Sequence, residues 1–369
     1  MARGLASAGM GFFMRLLLFA LLLAAGSGAA AAVPPPVAED EPAWAAPMRE
    51  RLAAAERRLG GEIGVFVHHL GRDEALSWRG DEPWYLASGI KVPVAIAVLQ
   101  RIEDGQLALD AHVKLLESDY VDGAGPTNHQ PPGAILSIEW LMEQMLIRSD
   151  NTATDVLIRT VGLEEVNAVA HALVEDHGLV ITSLADVRRL LYAGLHVRAA
   201  DLGSQELLAL RRAPSGMPRV QRLAQILQLS PEEFLLPDLD AAYQAYYASK
   251  VNAASLRDLG RMLAALANGL ALGPKGTDWL LDVMTRVRTG DRRIKARLPA
   301  GAEFAHKTGT QHRRFCDLGI ARVEVDGNPE HVVIAACVRG TASLAAGERA
   351  LRDVGAAVTA SGVLNLSSP

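Results

Sequence analysis

The stretch Phe315-Cys316-Asp317-Leu318-Gly319-Ile320-Ala321-Arg322-Val323-Glu324-Val325-Asp326-Gly327-Asn328-Pro329-Glu330-His331-Val332-Val333-Ile334-Ala335-Ala336-Cys337-Val338 reads as two strands around a tight turn. Its apolar, alternating arms, Phe315 to Val325 and His331 to Val338, flank Asp326-Gly327-Asn328, whose residues tolerate the backbone that a short hairpin requires. Upstream, Glu303 to Lys307 predicts a third strand, and downstream Ala345 to Ala360 has the period of a helix. The other end of the chain mirrors this pattern. Residues 48 to 59 have helical periodicity, Glu62 to His69 alternates as a strand, Gly71-Arg72 marks a turn, and Glu74 to Trp78 predicts a second strand. Between the two ends, from Ser88 to about Asn268, helical patterns dominate, at Ile138 to Ile147, Asp150 to Val161, Leu163 to Val174 and Leu256 to Leu266, and no strong strand interrupts them.

This order predicts an α+β fold in two lobes. A five-stranded antiparallel sheet is drawn from both ends of the chain and flanked by the N- and C-terminal helices, with an all-α lobe inserted. The sheet lobe is expected over 45–87 and 270–365 and the helical lobe over 88–269, together one domain spanning 45–369. A chain of 369 residues, 50% hydrophobic, can bury a core of that size. Its net charge of −5, with the signs interspersed, leaves no basic stripe for nucleic acid, so a small-molecule or peptide substrate and a monomeric protein are expected.

At the N-terminus, Arg15, the apolar run Leu16 to Ala25 and the small residues Gly26 to Ala32 resemble a cleavable secretory signal over 1–32, followed by a Pro-rich linker over 33–44. A start at Met14 would make that signal compact. The run is shorter than the ~20 residues of a membrane span, and no cysteine follows it to accept a lipid, so a secreted or periplasmic protein without stable membrane insertion is expected. The two cysteines, Cys316 and Cys337, exclude a Cys-rich zinc site and a CxxC motif, and no metal or other cofactor is expected. They lie almost equally far from Gly327, hence nearly opposite across the hairpin, where they are either a disulfide or two buried reduced thiols.

Three short motifs occur in order: Ser88-Gly89-Ile90-Lys91, Ser149-Asp150-Asn151 and Lys307-Thr308-Gly309-Thr310. A Ser-x-x-Lys arises by chance roughly once in a chain of this length, so the weight lies in the ordered set. A helix starting at Ser88 would aim backbone N–H groups at the serine hydroxyl, and Lys91, three positions on, would share its face as a desolvated general base. Pro93 is tolerable only near such a helix start. Ser149-Asp150-Asn151 falls between two helical patterns, where Asp150 suits an N-cap, Ser149 a proton relay to a leaving nitrogen, and Asn151 an amide that holds a substrate carbonyl. Gly309 within a strand invites close approach of another backbone. Lys307, Thr308 and Thr310 then suit a substrate carboxylate, and the backbone N–H groups of Ser88 and Thr310 an oxyanion hole. His68 and His69 read as strand residues.

These residues resemble the penicillin-recognising serine enzymes, specifically the class A β-lactamase-like family, over about residues 45 to 365. Besides the motifs, Leu86 to Leu109 with Arg101-Ile102-Glu103-Asp104-Gly105, Ser149 to Leu157, Leu298-Pro299-Ala300-Gly301 and the final helix carry the resemblance. It implies a two-lobed β-lactamase/transpeptidase-like fold and a hydrolase that opens β-lactam rings through a Ser88 acyl-enzyme. Alternatives within the family are a D-Ala-D-Ala peptidase, amidase or esterase, or a penicillin-binding protein acylated without turnover. Two features depart from the family. Ser149 and Lys307 are 158 residues apart, where the family has roughly a hundred, so an insertion is expected at about 188–248. The Glu-x-x-x-Asn pair of the family's Ω-shaped loop is missing there, which leaves Glu232, Glu233, Asp238 and Asp240 as candidate water-activating bases. The arginine that often assists carboxylate binding also lacks its usual position; Arg313 and Arg314 are the nearby candidates, or else exposed turn charges.

Overall fold

The computed structural model describes residues 41–174, 178–325 and 327–364. The expected signal, residues 33–40 of the Pro-rich linker, and Asp326 of the hairpin turn lie outside the described residues. Helix α1, Ala45–Leu59, buries Met48, Leu52 and Ala55 along one stripe and leads into strands β1, Glu62–His69, and β2, Glu74–Trp78. Strand β3, Pro83–Tyr85, is followed by a short 3-10 turn, Ala87–Ile90, that runs into helix α2, Lys91–Glu103. After β4, His112–Lys114, and β5, Ile135–Ser137, come three helices: α3, Ile138–Ile147; α4, Asn151–Val161; and α5, Leu163–Leu173.

Contacts divide the chain into two compact units, with limits at 186 and 251. Asp186–Val251 is one of them. It holds most of α6, Leu184–Ala193, then α7, Ser204–Arg212, α8, Met217–Leu227, and α9, Leu239–Ala248. Leu207, Leu210, Val220 and Leu223 are buried within it.

The other unit is completed by β6, Ala253–Ser255, helices α10, Leu256–Ala267, and α11, Pro274–Thr285, the strands β7, Glu303–Gln311, β8, Arg314–Val325, and β9, Asn328–Arg339, and the last helix α12, Leu344–Ser361. Five strands form one antiparallel sheet in the order β2-β1-β9-β8-β7. The last strand of the chain, β9, therefore sits in the middle, paired with the first, β1, which is how the two chain ends close one sheet.

Side-chain alternation assigns the faces. Ile63, Val65 and Val67 of β1 join Val332, Ile334, Ala336 and Val338 of β9 in a core with Met48 and Leu52 of α1 and Leu351, Val354 and Val358 of α12. On the opposite face α10 packs against β1, β8 and β9. Its Leu256, Leu259, Met262, Leu263 and Leu266 form the buried stripe, and Ser255 Oγ accepts from Asp258 N at its start.

Periodicity missed two small two-stranded sheets, β3 with β6 and β4 with β5. Each strand is three residues long, too short for a period of two to register, and each pairs with a partner distant in sequence. Among the described residues no helix is long and apolar enough to cross a membrane.

Cys316 and Cys337 face each other in the β8–β9 register and are joined in a disulfide, with Cα atoms 4.0 Å apart. The bridge spans 21 positions, so by loop-closure entropy it is expected to contribute about 3 kcal/mol. Guanidinium denaturation of the oxidised protein and of a Cys316→Ala/Cys337→Ala variant measures this; equal midpoints would refute it.

Candidate active site

Ser88 lies in the 3-10 turn, one residue after Ala87, whose φ of 49° is in the left-handed region. The α-helix begins at Lys91 and not at Ser88 as the sequence suggested. A 3-10 turn advances three residues per turn, so the spacing of Ser88 and Lys91 still stacks them on one face. Pro93 is the third helical residue, where its missing N–H is one of the donors left without an intrahelical partner. Ser88 remains partly accessible, whereas Lys91 is fully buried.

The Lys91 side chain reaches the second motif. Its Nζ donates to Ser149 O at 2.6 Å, to Asn151 Oδ1 at 2.8 Å and to Ser149 Oγ at 3.3 Å. From the other side Lys307 Nζ donates to the same Ser149 Oγ at 3.0 Å and to Thr308 O at 3.0 Å. Ser149 is held at φ 59°, a left-handed backbone that a serine keeps only when its surroundings fix it. Asp150 is the N-cap of α4, accepting from Ala153 N at 2.9 Å, and its second oxygen accepts from Thr127 N at 2.9 Å. Asn151 donates one amide N–H to Asp122 O at 2.8 Å.

Lys307 and Gly309 lie on β7, at the edge of the sheet. A Cβ at Gly309 would stand 2.2 Å from Leu86 O and 3.3 Å from Ala87 Cβ, so only glycine lets the Ser88 turn lie directly against the strand. Thr308 Oγ1 meets Thr289 Oγ1 at 2.6 Å, and Thr310 is exposed.

Burial pushes the Lys307 amine well below its ordinary value of 10.5, and the charges of Lys91 and Arg293 add to this while Asp317 opposes it. Between that lowered value and 10.5 the unfolded chain binds the extra proton. Stability should therefore rise with pH through this window, by up to ~1.4 kcal/mol per pH unit, and the contribution is absent below it. Urea unfolding across the alkaline range is expected to show a flatter slope for Lys307→Met than for the wild type; identical slopes would contradict the assignment.

Sequence reasoning missed the guanidinium that braces this strand. Arg313, at φ 55°, and Arg314 flank the β7–β8 turn, Arg313 exposed and Arg314 half-buried. The buried arginine is Arg293: its Nη1 donates to Gly309 O at 2.9 Å and Cys316 O at 2.8 Å, and its Nη2 to Thr310 Oγ1 at 2.6 Å. Burial lowers its pKa, partly offset by Asp317 and Glu348. The buried pair His306 Nδ1 and Asp317 Oδ1, 2.7 Å apart, lies behind the same strand, and Asp317 Oδ2 accepts from Ile294 N. No local pattern distinguishes Arg293 from Arg292; only the folded path of the loop does.

A family model, described as the beta-lactamase enzyme family, matches residues 47–361. The chain belongs to this family. A β-lactamase of Streptomyces fradiae is 36% identical over 132 residues, covering 33% of this chain and 42% of that protein. β-Lactamase VEB-1 of Pseudomonas aeruginosa is 23% identical over 252 residues, covering 67% and 66%. The chain spans 37% of the β-lactamase of Streptomyces albus G, at 31% identity. Among solved structures, a β-lactamase from Sphaerobacter thermophilus superposes with a TM-score of 0.61 at 24% identity, over 87% of this chain and 98% of that one. PBP-A superposes with a TM-score of 0.63 at 22% identity, over 89% and 98%. The chain has the α+β β-lactamase-like fold expected from the order of its elements.

The candidate water-activating carboxylates of this β-lactamase-family chain all lie in the unit Asp186–Val251 and are exposed. Glu232 and Glu233 belong to a 3-10 turn, where Glu233 Oε2 accepts from Ser230 N at 2.8 Å. Asp238 N-caps α9, accepting from Ala241 N at 2.8 Å, and Asp240 lies in its first turn. Near the site, Asp155, one helical turn beyond Asn151 on α4, is occupied by Leu184 N at 2.7 Å and Ala185 N at 2.9 Å.

Proposed function

We propose that the protein is an exported serine hydrolase that opens the cyclic amide of β-lactams through an acyl-enzyme on Ser88. The observation that carries this reading is the convergence of two buried lysines, Lys91 and Lys307, on the single hydroxyl of Ser149. A hydroxyl has two lone pairs and one proton. With both lone pairs accepting from amines, the proton of Ser149 is left to point outward, toward a leaving nitrogen.

In this mechanism Lys91 acts as the neutral amine, giving up one of its three donated bonds, and takes the Ser88 proton as Oγ attacks the lactam carbonyl. The oxyanion is met by the backbone N–H groups of Ser88 and Thr310, on the two elements that Gly309 allows to approach. As the C–N bond breaks, Ser149 gives its proton to the nitrogen and is reprotonated through Lys91. Lys307, Thr308 and Thr310 hold the substrate carboxylate, and Asn151 the acylamide carbonyl. The composition of residues 1–32 supports export.

A second reading, a D-Ala-D-Ala peptidase or a protein acylated with slow release, is favoured by the carboxylates. Glu233 and Asp238 are engaged as helix caps, and Asp155 is saturated by two backbone N–H groups. Glu232, Glu233, Asp238 and Asp240 remain proposals for the base that activates water. Incubation of the purified protein with a chromogenic cephalosporin, followed by absorbance and intact mass, separates the readings. Steady colour development supports the hydrolase, a persistent adduct supports slow release, and cleavage of a D-Ala-D-Ala peptide with neither signal supports the peptidase. Absence of all three would refute acyl transfer at Ser88.

A further inference from the structure

A cleft of about 360 Å³ is lined by Glu143, Gln144, Ile147, Arg148, Arg286 and Arg288. Three arginines share it with one carboxylate. Arg286 is neutralised, donating to Glu143 Oε1 at 2.9 Å and pairing with Asp282 Oδ2 at 3.1 Å. Arg148 and Arg288 are exposed and make no ion pair among the described residues. Their part in the fold is carried by the backbone alone: Arg148 N donates to Gln144 O at 3.2 Å and Arg288 N to Ile147 O at 3.0 Å. Any residue supplies those N–H groups, so the fold does not require a cation at either position.

Both cations are one residue from the acyl-transfer network. Arg148 precedes Ser149, whose hydroxyl is held by the two lysines, and Arg288 precedes Thr289, whose hydroxyl meets Thr308. The Arg288–Ile147 backbone bond ties the two walls together. The walls of the cleft thus continue along the chain into Ser149, the proposed proton donor to the leaving nitrogen, and into Thr289. Positive charge is concentrated there in a chain of net charge −5: from Arg286 to Arg297 the sequence has Arg286, Arg288, Arg292, Arg293, Lys295 and Arg297 against Asp291 alone. Such a local field draws anions toward the cleft.

We propose that this cleft is an anion subsite that takes a second negatively charged group, a carboxylate, sulfonate or phosphate, on the leaving-group portion of the substrate. This rests on the acyl-transfer reading above. It distinguishes dianionic substrates from those with only the carboxylate that Lys307 and Thr308 receive.

The test compares two cephalosporins that differ only at the 3-position, one bearing a methyl group and one a sulfonate. In the wild type the ratio of acylation rates, sulfonate over methyl, should exceed that of an Arg148→Gln/Arg288→Gln variant by about tenfold, the size of two exposed charge contacts, and should fall with added salt. Arg148→Lys/Arg288→Lys should restore the ratio. An unchanged ratio in the glutamine variant overturns the subsite. Titration of inorganic pyrophosphate into Ser88→Ala, with and without the two glutamines, reads the cleft independently of acylation. Weaker binding with the glutamines supports the subsite and equal binding overturns it. If neither cephalosporin acylates the wild type, the proposed function fails and the pyrophosphate titration alone decides the cleft.

Discussion

Ser88→Ala is expected to leave no covalent adduct on exposure to a cephalosporin and to reduce hydrolysis by a factor on the order of 10⁶, the loss typical when the nucleophile of a serine acyl-transfer site is removed. The physical ground is that the surrounding groups have no second oxygen to activate. Ser149 is a hydroxyl that Lys91 meets, but its oxygen accepts from Lys91 at 3.3 Å and Lys307 at 3.0 Å, and its backbone is fixed at φ 59°. In the proposed mechanism it passes a proton and does not attack. Intact mass after incubation, alongside a melting curve showing that the variant is folded, checks this. An adduct of unchanged mass and rate on the folded variant would place the nucleophile elsewhere and undo the site assignment.

Gly309→Ala is expected to cost at least ~3 kcal/mol of stability, lower the melting temperature by about 5–10 °C, and slow acylation by at least ~100-fold. The added Cβ would stand 2.2 Å from Leu86 O and 3.2 Å from Leu86 C. Backbone limits the room on both sides: β7 is paired along its length with β8, and the opposing segment is the turn that carries Ser88. Relief must therefore push the turn from the strand, separating Ser88 from Thr310, the two proposed oxyanion donors. Gly105→Ala is the comparison. Gly105 has a positive φ of 71° but nothing within 4 Å, so only backbone strain of about 1 kcal/mol is expected there, with the acylation rate retained. Equal losses in the two variants would mean that close approach at Gly309 is not what matters.

The extent to which these residues were legible in advance follows from the range of the interactions that hold them. Strands β1 and β2 match the sequence reading residue for residue, because period-two alternation over five to eight residues bounded by glycine is a local signal. Strand β7 runs to Gln311 and carries Lys307-Thr308-Gly309-Thr310, as the sequence reading has it, and pairing with β8 holds the strand through Gly309. The three-residue strands β3 to β6 left no period to read. The expectation of an insertion at about 188–248 comes from counting residues between Ser149 and Lys307, which needs no tertiary information.

By itself, the sequence determined the α+β order of elements, the family, and the identity of the residues offered for chemistry: Ser88, Lys91, Ser149, Asn151, Lys307, Thr308 and Gly309. These are set by local periodicity and by the residue types that acyl transfer requires. Only the tertiary structure decided that Lys91 and Lys307, 216 positions apart (307 − 91), meet on one hydroxyl. It also decided that Arg293, and not Arg313 or Arg314, braces the Lys307 strand, and that Cys316 and Cys337 are bonded. Each of these depends on burial and register between segments far apart in the chain, and such contacts leave no trace in the order of neighbouring residues.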